Sequence, residues 1–267
     1  MPHHKVHKVK KNILKDYSVK LIIILFWLLL WEAASRALGH SILLPAPSAV
    51  LATLARLMIN LDFWQTILFS SLRIIIGFLL ALLVGIILAV GAHNSRMVEA
   101  LIAPIMKTIQ AMPVASFIIL ALIWIKAKNL SVLASFMMVM PLIYSNVAQG
   151  LKAADSKLLN MAKVFQIGTA KTIKAIYIPA VIPYFISAVS VGVGLCWKAG
   201  IAAEVIGIPT GSIGERLYEA KLYLMTEDLF AWTIVIIIIS ILFEKLVLLL
   251  IRRLQKDAAR QRKTAEE

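Results

Sequence analysis

IIIGFLLALLVGIILAVGA, residues 74–92, runs for 19 residues without a charged side chain. A hydrocarbon core ~30 Å thick takes about 20 such residues in a helix. The run is continuous rather than alternating, which excludes a β-barrel strand. In lipid a helix satisfies its own backbone groups, so the stretch reads as a membrane-spanning helix. LIIILFWLLLW (21–31) and LFAWTIVIIIISILF (229–243) read the same way. Composition agrees: 61% of the 267 residues are hydrophobic, above the ~45–50% of soluble domains.

Working outward, six spans emerge, at about 18–38, 68–92, 100–125, 129–148, 180–205 and 228–251. The third holds Pro104, Pro113, Lys107 and Gln110 and reads as a kinked helix packed against protein. Pro141 interrupts the fourth. The N-terminal basic region is long, lacks a small-residue cleavage site and precedes further spans, so it reads as a span rather than a secretory signal. The expected fold is an all-α integral membrane protein. Residues 1–20 form a basic tail, 21–251 a polytopic domain with an excursion at 150–178, and 252–267 a second basic tail.

Charge orients the spans. Both termini, the 93–99 loop and the excursion fall on one side and carry 18 Lys and Arg; the opposite loops carry six. The positive-inside rule makes the first side cytoplasmic, with both termini there. The net charge of +14 is thus a topology signal, concentrated beside the membrane, and not the footprint of a nucleic-acid binder. The single cysteine, Cys196, excludes an intrachain disulfide and a multi-cysteine metal site.

The excursion contains VFQIGTAKTIKAIYIPAVIP (164–183) and reads as helix–turn–helix. Asp155 or Ser156 caps a helix in which Leu158, Leu159, Met161, Ala162 and Phe165 share a face. Gly168 and Thr169 end it. Ile173, Ile176 and Tyr177 give a second short apolar face before Pro179 and Pro183. Spacing alone leaves two readings open: an amphipathic loop lying on the membrane surface, or a docking platform for a partner.

This segment resembles the cytoplasmic loop of permease subunits in binding-protein-dependent ABC importers. That loop reads E-A-A, then Gly four residues on, then I-x-L-P. Here Asn160, Met161 and Ala162 stand for E-A-A, Gln166 for the glycine, and Ile176-Tyr177-Ile178-Pro179 for the end; Gly168 follows two residues late. SSLRIIIGFLLALLVGIILAVGA (70–92) resembles the family's second span, and IAAEVIGIPTGSIGERLYEA (201–220) its A-E-x-[IL]-G…G-[LI]-G stretch. The resemblance covers about 40–255 and is to the nitrate, sulfonate and taurine branch, with relatives linked to thiamine-precursor uptake.

The resemblance implies a homodimeric permease working by alternating access, with ABC ATPase subunits on the cytoplasmic side, an external solute-binding protein and surrounding membrane lipid. It implies a small solute, an anion such as a sulfonate or nitrate, with a thiamine-precursor-like molecule as the alternative. Partner-binding residues would be Asn160, Met161, Ala162, Phe165, Gln166, Gly168 and Lys171. A stand-alone secondary carrier or channel is the rival, which an inverted repeat would favour; none is evident.

Other motifs carry less. No G-x-x-x-x-G-K-[ST] occurs, so ATP is expected to bind elsewhere, and no cofactor is called for. No catalytic nucleophile–base set and no metal-ligand spacing occurs; His3, His4 and His7 lie in a basic tail. Gly192 and Gly194 form a lone G-x-G inside a span. Gly77, Ala81, Gly85 and Ala89 recur every four residues, a stripe suited to close helix packing within the chain or across a homodimer. Glu32, Arg73 and Glu244 lie near span ends, where snorkelling suffices. In GLCWKAGIAAEVIG (194–207), Trp197, Ile201 and Glu204 share a helix face with Lys198 about 100° away. Gly194 and Gly200 leave room beside Lys198. Lys198 is either a positive site on the substrate path, with Trp197 shaping a constriction, or half of a structural ion pair. Glu204 is grouped with Trp197 and Lys198 as a substrate-path residue and is expected to fix the turn into 206–214.

Overall fold

A computed structural model describes residues 3–264, with side chains at 19–251 and at Arg253. The side chains of His3, His4, His7 and the first five tail lysines lie outside the described residues, as do most of those of the C-terminal tail. Among the described residues the regular elements are all helical, without strands. Eleven α-helices are described: α1 (His3–Leu38), α2 (Pro47–Met58), α3 (Leu61–Asn94), α4 (Arg96–Ala111), α5 (Val114–Ala121), α6 (Leu130–Lys152), α7 (Ser156–Val164), α8 (Thr169–Thr172), α9 (Ile178–Gly207), α10 (Ile213–Leu222) and α11 (Thr226–Thr264).

The chain divides into two compact units, Met1–Leu61 with Glu219–Thr233, and Asp62–Tyr218 with Ile234–Glu267. In the first unit, Glu32 does more than snorkel. It accepts from Arg36 Nε at 3.0 Å and from Ser48 Oγ at 3.2 Å, tying α1 to the start of α2. Thr53 donates to Glu227 at 3.1 Å, and Trp31 packs on Phe230 at 5.6 Å between ring centroids.

In the second unit, α6 and α9 run antiparallel with small residues at the seam. A Cβ on Gly192 would meet Val139 at 3.2 Å, on Gly200 Ser135 Oγ at 2.8 Å, and on Gly207 Leu130 at 2.7 Å. The stripe on α3 packs inside the chain: Gly77 lies against Val132 and Ser135, and Gly85 against Met140 and Ile143. Both contacts advance together along the sequence, so α3 and α6 are parallel. Arg73 Nε donates to Lys128 O at 2.6 Å, fixing the start of α6 level with Arg73.

That geometry decides the span count. Five described helices are long and apolar enough to cross a membrane, six if the α4–α5 pair, bent by 103°, is one span. Between Arg73 and Asn94 α3 climbs about 30 Å at 1.5 Å per residue. The chain descends the same distance through α4 and α5 before α6 begins, about one hydrocarbon thickness. The bent pair therefore crosses, and six spans result.

The bend sits at Met112, extended with ψ 128° ahead of Pro113, as the steric demand of a proline requires. Pro141 is different. It was expected to interrupt the fourth span, yet α6 runs through it from Leu130 to Lys152. Buried packing on both sides holds the helix across the missing hydrogen bond, as membrane interiors allow.

The seam predicts a paired outcome. Gly200→Val drives Cβ into Ile74 Cγ1, 2.5 Å away, whereas a Cβ at Gly194 has nothing within 4 Å. The Gly200 variant should lose roughly 1–3 kcal/mol from overpacking. Its melting temperature in detergent should fall by several degrees while Gly194→Val melts like the parent.

Candidate functional site

Two regions carry the side chains singled out from the sequence. The first is the excursion. The end of α6 is held to the first turn of α4 by Lys152 and Glu99, 2.6 Å apart. Asp155 then caps α7, its carboxylate accepting from Lys157 N at 2.8 Å.

α7 ends in a Schellman turn. Ile167 N donates to Ala162 O at 2.8 Å and Gln166 N to Lys163 O at 3.1 Å. Gln166 takes φ 50°, the left-handed conformation that glycine occupies at least cost. This is the position matched above to the glycine of the resembling loop. The break therefore falls at Phe165–Gly168, and Thr169 begins α8 instead of ending α7.

After α8 the chain makes a π-turn, Ile173–Tyr177, with Ile178 N bonded to Ile173 O. Pro179 follows and has no N–H to give to the α-pattern, so the wider turn accommodates it. Tyr177 stands edge-on to His93 at the end of α3, 5.4 Å between centroids. Their Nε2 and hydroxyl are 3.4 Å apart.

Exposure sorts the predicted partner residues. Asn160, Met161, Phe165, Gln166, Gly168 and Lys171 are exposed, with Phe165 at 72%. Ala162 is not: it is 2% exposed and faces its own chain. The apolar face drawn from Leu158 to Phe165 is thus split. Ala162 and Leu159 turn inward, while Leu158, Met161, Phe165 and the neighbouring Val164, 78% exposed, turn outward. The sequence pattern shows apolar spacing but not which apolar arc the rest of the fold takes up.

The second region is the C-terminal half of α9. Trp197, Ile201 and Glu204 share a buried face, 1%, 8% and 0% exposed. Trp197 packs toward Phe243 on α11, 6.4 Å between centroids. Glu204 Oε2 accepts from Ser70 Oγ at 2.7 Å and from Gly214 N at 3.3 Å, and Ser70 Oγ accepts from Ile213 N at 2.9 Å. Glu204 so ties α3, α9 and the 208–214 turn into one node. Ser212, Ile213 and Gly214 are buried there, and Gly214 lies against the Glu204 backbone with no space for a side chain. Ile208, at φ 47°, opens the turn in a conformation costly for a β-branched residue.

Lys198 lies apart from that face. It is exposed, and among the described residues it forms no salt bridge. Gly194 leaves open space on the same side. Gly200 does not, being packed against Ile74 and Ser135, which corrects the expectation that both glycines flank Lys198 with room.

Ser70 is the functional partner that the sequence reading passed over. A serine pair, Ser70-Ser71, at the head of a long apolar run was its signal. Arg73 and Glu244 also act inside the chain. Arg73 stacks over the Phe69 ring at 3.4 Å, and Glu244 accepts from Ser190 Oγ at 3.0 Å.

Replacing Gln166 by glycine should relieve the left-handed strain, a gain of roughly 1 kcal/mol. Amide exchange across 156–168 should slow severalfold. Unchanged exchange would mean that the turn carries no strain.

The sequence pattern described as "Binding-protein-dependent transport system inner membrane component" matches residues 81–260. The Bacillus subtilis permease named SsuC, for aliphatic sulfonates transport, is 23% identical over 245 residues, covering 91% of this chain and 87% of that protein. The taurine transport system permease protein TauC of Escherichia coli is 25% identical over 230 residues, 84% and 83% of the two chains. Among solved structures, an amino acid ABC transporter crystallised with histidines has a TM-score of 0.59 at 16% identity. It covers 76% of this chain and 96% of that one, a likeness of fold.

Proposed function

We propose, for a chain that belongs to the family of binding-protein-dependent transport system inner membrane components, that transport is ATP-driven, by alternating access, and that the solute is a small anion. The protein is the permease subunit of an ABC importer of small solutes.

The exposed tip of the excursion carries this reading. Val164 and Phe165 stand 78% and 72% exposed, and Lys157, Lys163, Lys171 and Lys174 of the same excursion are exposed as well. Burying a side chain of that size is worth roughly 1.5–3 kcal/mol, so an apolar tip with a basic rim favours a partner with an apolar groove and acidic edges. An ATPase subunit seated there would push on α7, and the push would travel through α8 and the π-turn into α9, the helix bearing Lys198. Rigid-body transmission of that kind is a known switching device.

The charge split of 18 to six supports placing the excursion and both termini in the cytoplasm. A second permease copy and an external solute-binding protein complete the proposed assembly. Lys198, a cation exposed on a spanning helix, supports an anionic solute, since such a charge is costly unless it meets water or a counter-ion. The names of SsuC and TauC point the same way, as sulfonates and taurine both carry an anionic sulfonate group.

Phe165→Asp sets an unpaired charge in the proposed contact, a loss of roughly 3 kcal/mol or more. The ATPase subunit should then fail to co-purify while the permease still inserts and melts normally. Retained co-purification with solute-coupled ATP hydrolysis would remove the docking role. Ala162→Asp, buried in its own chain, should instead lower the melting temperature.

Topology has its own check. A cysteine replacing Lys171 should react with an impermeant maleimide in inverted vesicles and not in intact cells. Labelling from outside would reverse the orientation.

A further inference from the structure

α4 presents three different sides. Ile102, Met106 and Ile109 turn toward the chain. Met97, Leu101 and Ile105 are exposed and apolar, as suits a side facing lipid. The third side is polar. Arg96, Ala103, Lys107 and Gln110 follow one another at intervals of seven, four and three residues, a single stripe along the helix, and all but Ala103 are exposed. Lys107 and Gln110 were expected to pack against protein; their own chain leaves both uncovered.

Contacts with α6 set the depth of this stripe. Glu99 in the first turn of α4 is held to Lys152 at the end of α6. Ile109 lines one small depression with Met137 and Met138. Lys107 lies two residues before Ile109 and so stands near the middle of α6, roughly 15 Å from either end, beyond the reach of a snorkelling lysine. Lys198 stands between Gly192, beside Val139, and Gly200, beside Ser135. That level is roughly 5 Å nearer the start of α6, the outer side in the proposed orientation.

An ammonium at such a depth needs water, a carboxylate or a mobile anion. Among the described residues Lys107 forms no salt bridge. The carboxylates within the spans of this unit are Glu204 and Glu244, and both are engaged inside the chain, by Ser70 and Gly214 and by Ser190. A second copy laid against the stripe would therefore offer these spans' lysines no free carboxylate at that depth. We infer that Lys107, with Gln110 beside it, is a second cationic station on the anion path, one step inward of Lys198, and that Arg96 continues the stripe toward the cytoplasmic mouth. This inference rests on the proposal that Lys198 faces the substrate path, and it adds α4 as a second wall.

The test uses the intact permease–ATPase complex in nanodiscs at low salt, probed with methanethiosulfonates that carry either a sulfonate or a trimethylammonium group. The native Cys196 is buried and contributes little background. Lys107→Cys should react with both probes, whereas Ile105→Cys, on the opposite side of α4, should stay inert. With rates taken relative to a free thiol, Lys107→Cys should favour the anionic probe by about fivefold or more, and adding Lys198→Met should bring that preference below about twofold. Lys198→Cys should lose anion preference in the same way when Lys107→Gln is added. Gln110→Cys reports independently, its preference falling when either lysine is neutralised. If Lys107→Cys and Gln110→Cys are as inert as Ile105→Cys, or if their preference ignores Lys198→Met, the second station is overturned; anion-selective labelling of Lys198→Cys then leaves the Lys198 reading standing. An inert Lys198→Cys removes that reading and the second station with it.

Discussion

Along the seam between α6 and α9 four glycines face the partner helix at close quarters: Gly150 against Val181, Gly192 against Val139, Gly200 against Ser135, Gly207 against Leu130. Between helices in hydrocarbon there is no hydrophobic force, because lipid tails are as apolar as leucine. What holds them is dispersion between atoms brought into contact, small for each pair and large in sum. Small residues permit that contact, and the bond from Ser135 Oγ to Cys196 O, 2.9 Å, adds a polar tie across it. With α6 and α9 joined, α3 has a fixed place against both, through Gly77 and Gly85 on one side and Ile74 on the other. The height of α6 relative to α3, and so the sixth span, follows from the same contact.

The placement of α3 in turn makes the Glu204 node possible. Where the chain turns from α9 into α10, Ser212, Ile213 and Gly214 are buried, and buried amides need partners inside the protein. Ser70 and Glu204 are those partners, taking the N–H groups of Ile213 and Gly214. One end of α9 is thereby locked to α3. Its other end emerges through a π-turn into an exposed excursion. In the proposed mechanism this asymmetry matters, because a push at the excursion reaches a helix that is anchored at its far end.

Much of this was legible in the sequence because the bilayer leaves few choices. Uninterrupted apolar runs gave the spans, Pro113 gave the bend, and Asp155 gave the start of α7. The four-residue stripe on α3 gave a packing face, though only the structure showed that α6 fills it. The errors share a cause. Pro141 was read by its local chemistry, yet its helix is held by neighbours that are distant in sequence. Gly200 was read as space around Lys198, when another helix already occupies that space. Ala162 was assigned to a partner by motif position, while burial depends on which arc of α7 its own chain covers. Periodicity reports that a face is apolar; it does not report what covers it.

The π-turn at Ile173–Tyr177 changes how the two ends of this long helix are phased. An α-helix advances about 100° per residue, so accommodating one extra residue within a turn rotates everything beyond it by a comparable angle about the axis. Lys171 and Lys198 are therefore not phased as an unbroken helix would set them, and the offset is stored in a single hydrogen-bond register. Shifting that register by one residue would wring the helix, turning its anchored part against its free part without tilting either. The segment is then a torsional joint, and its currency is twist along the helix rather than swing of the helix as a lever.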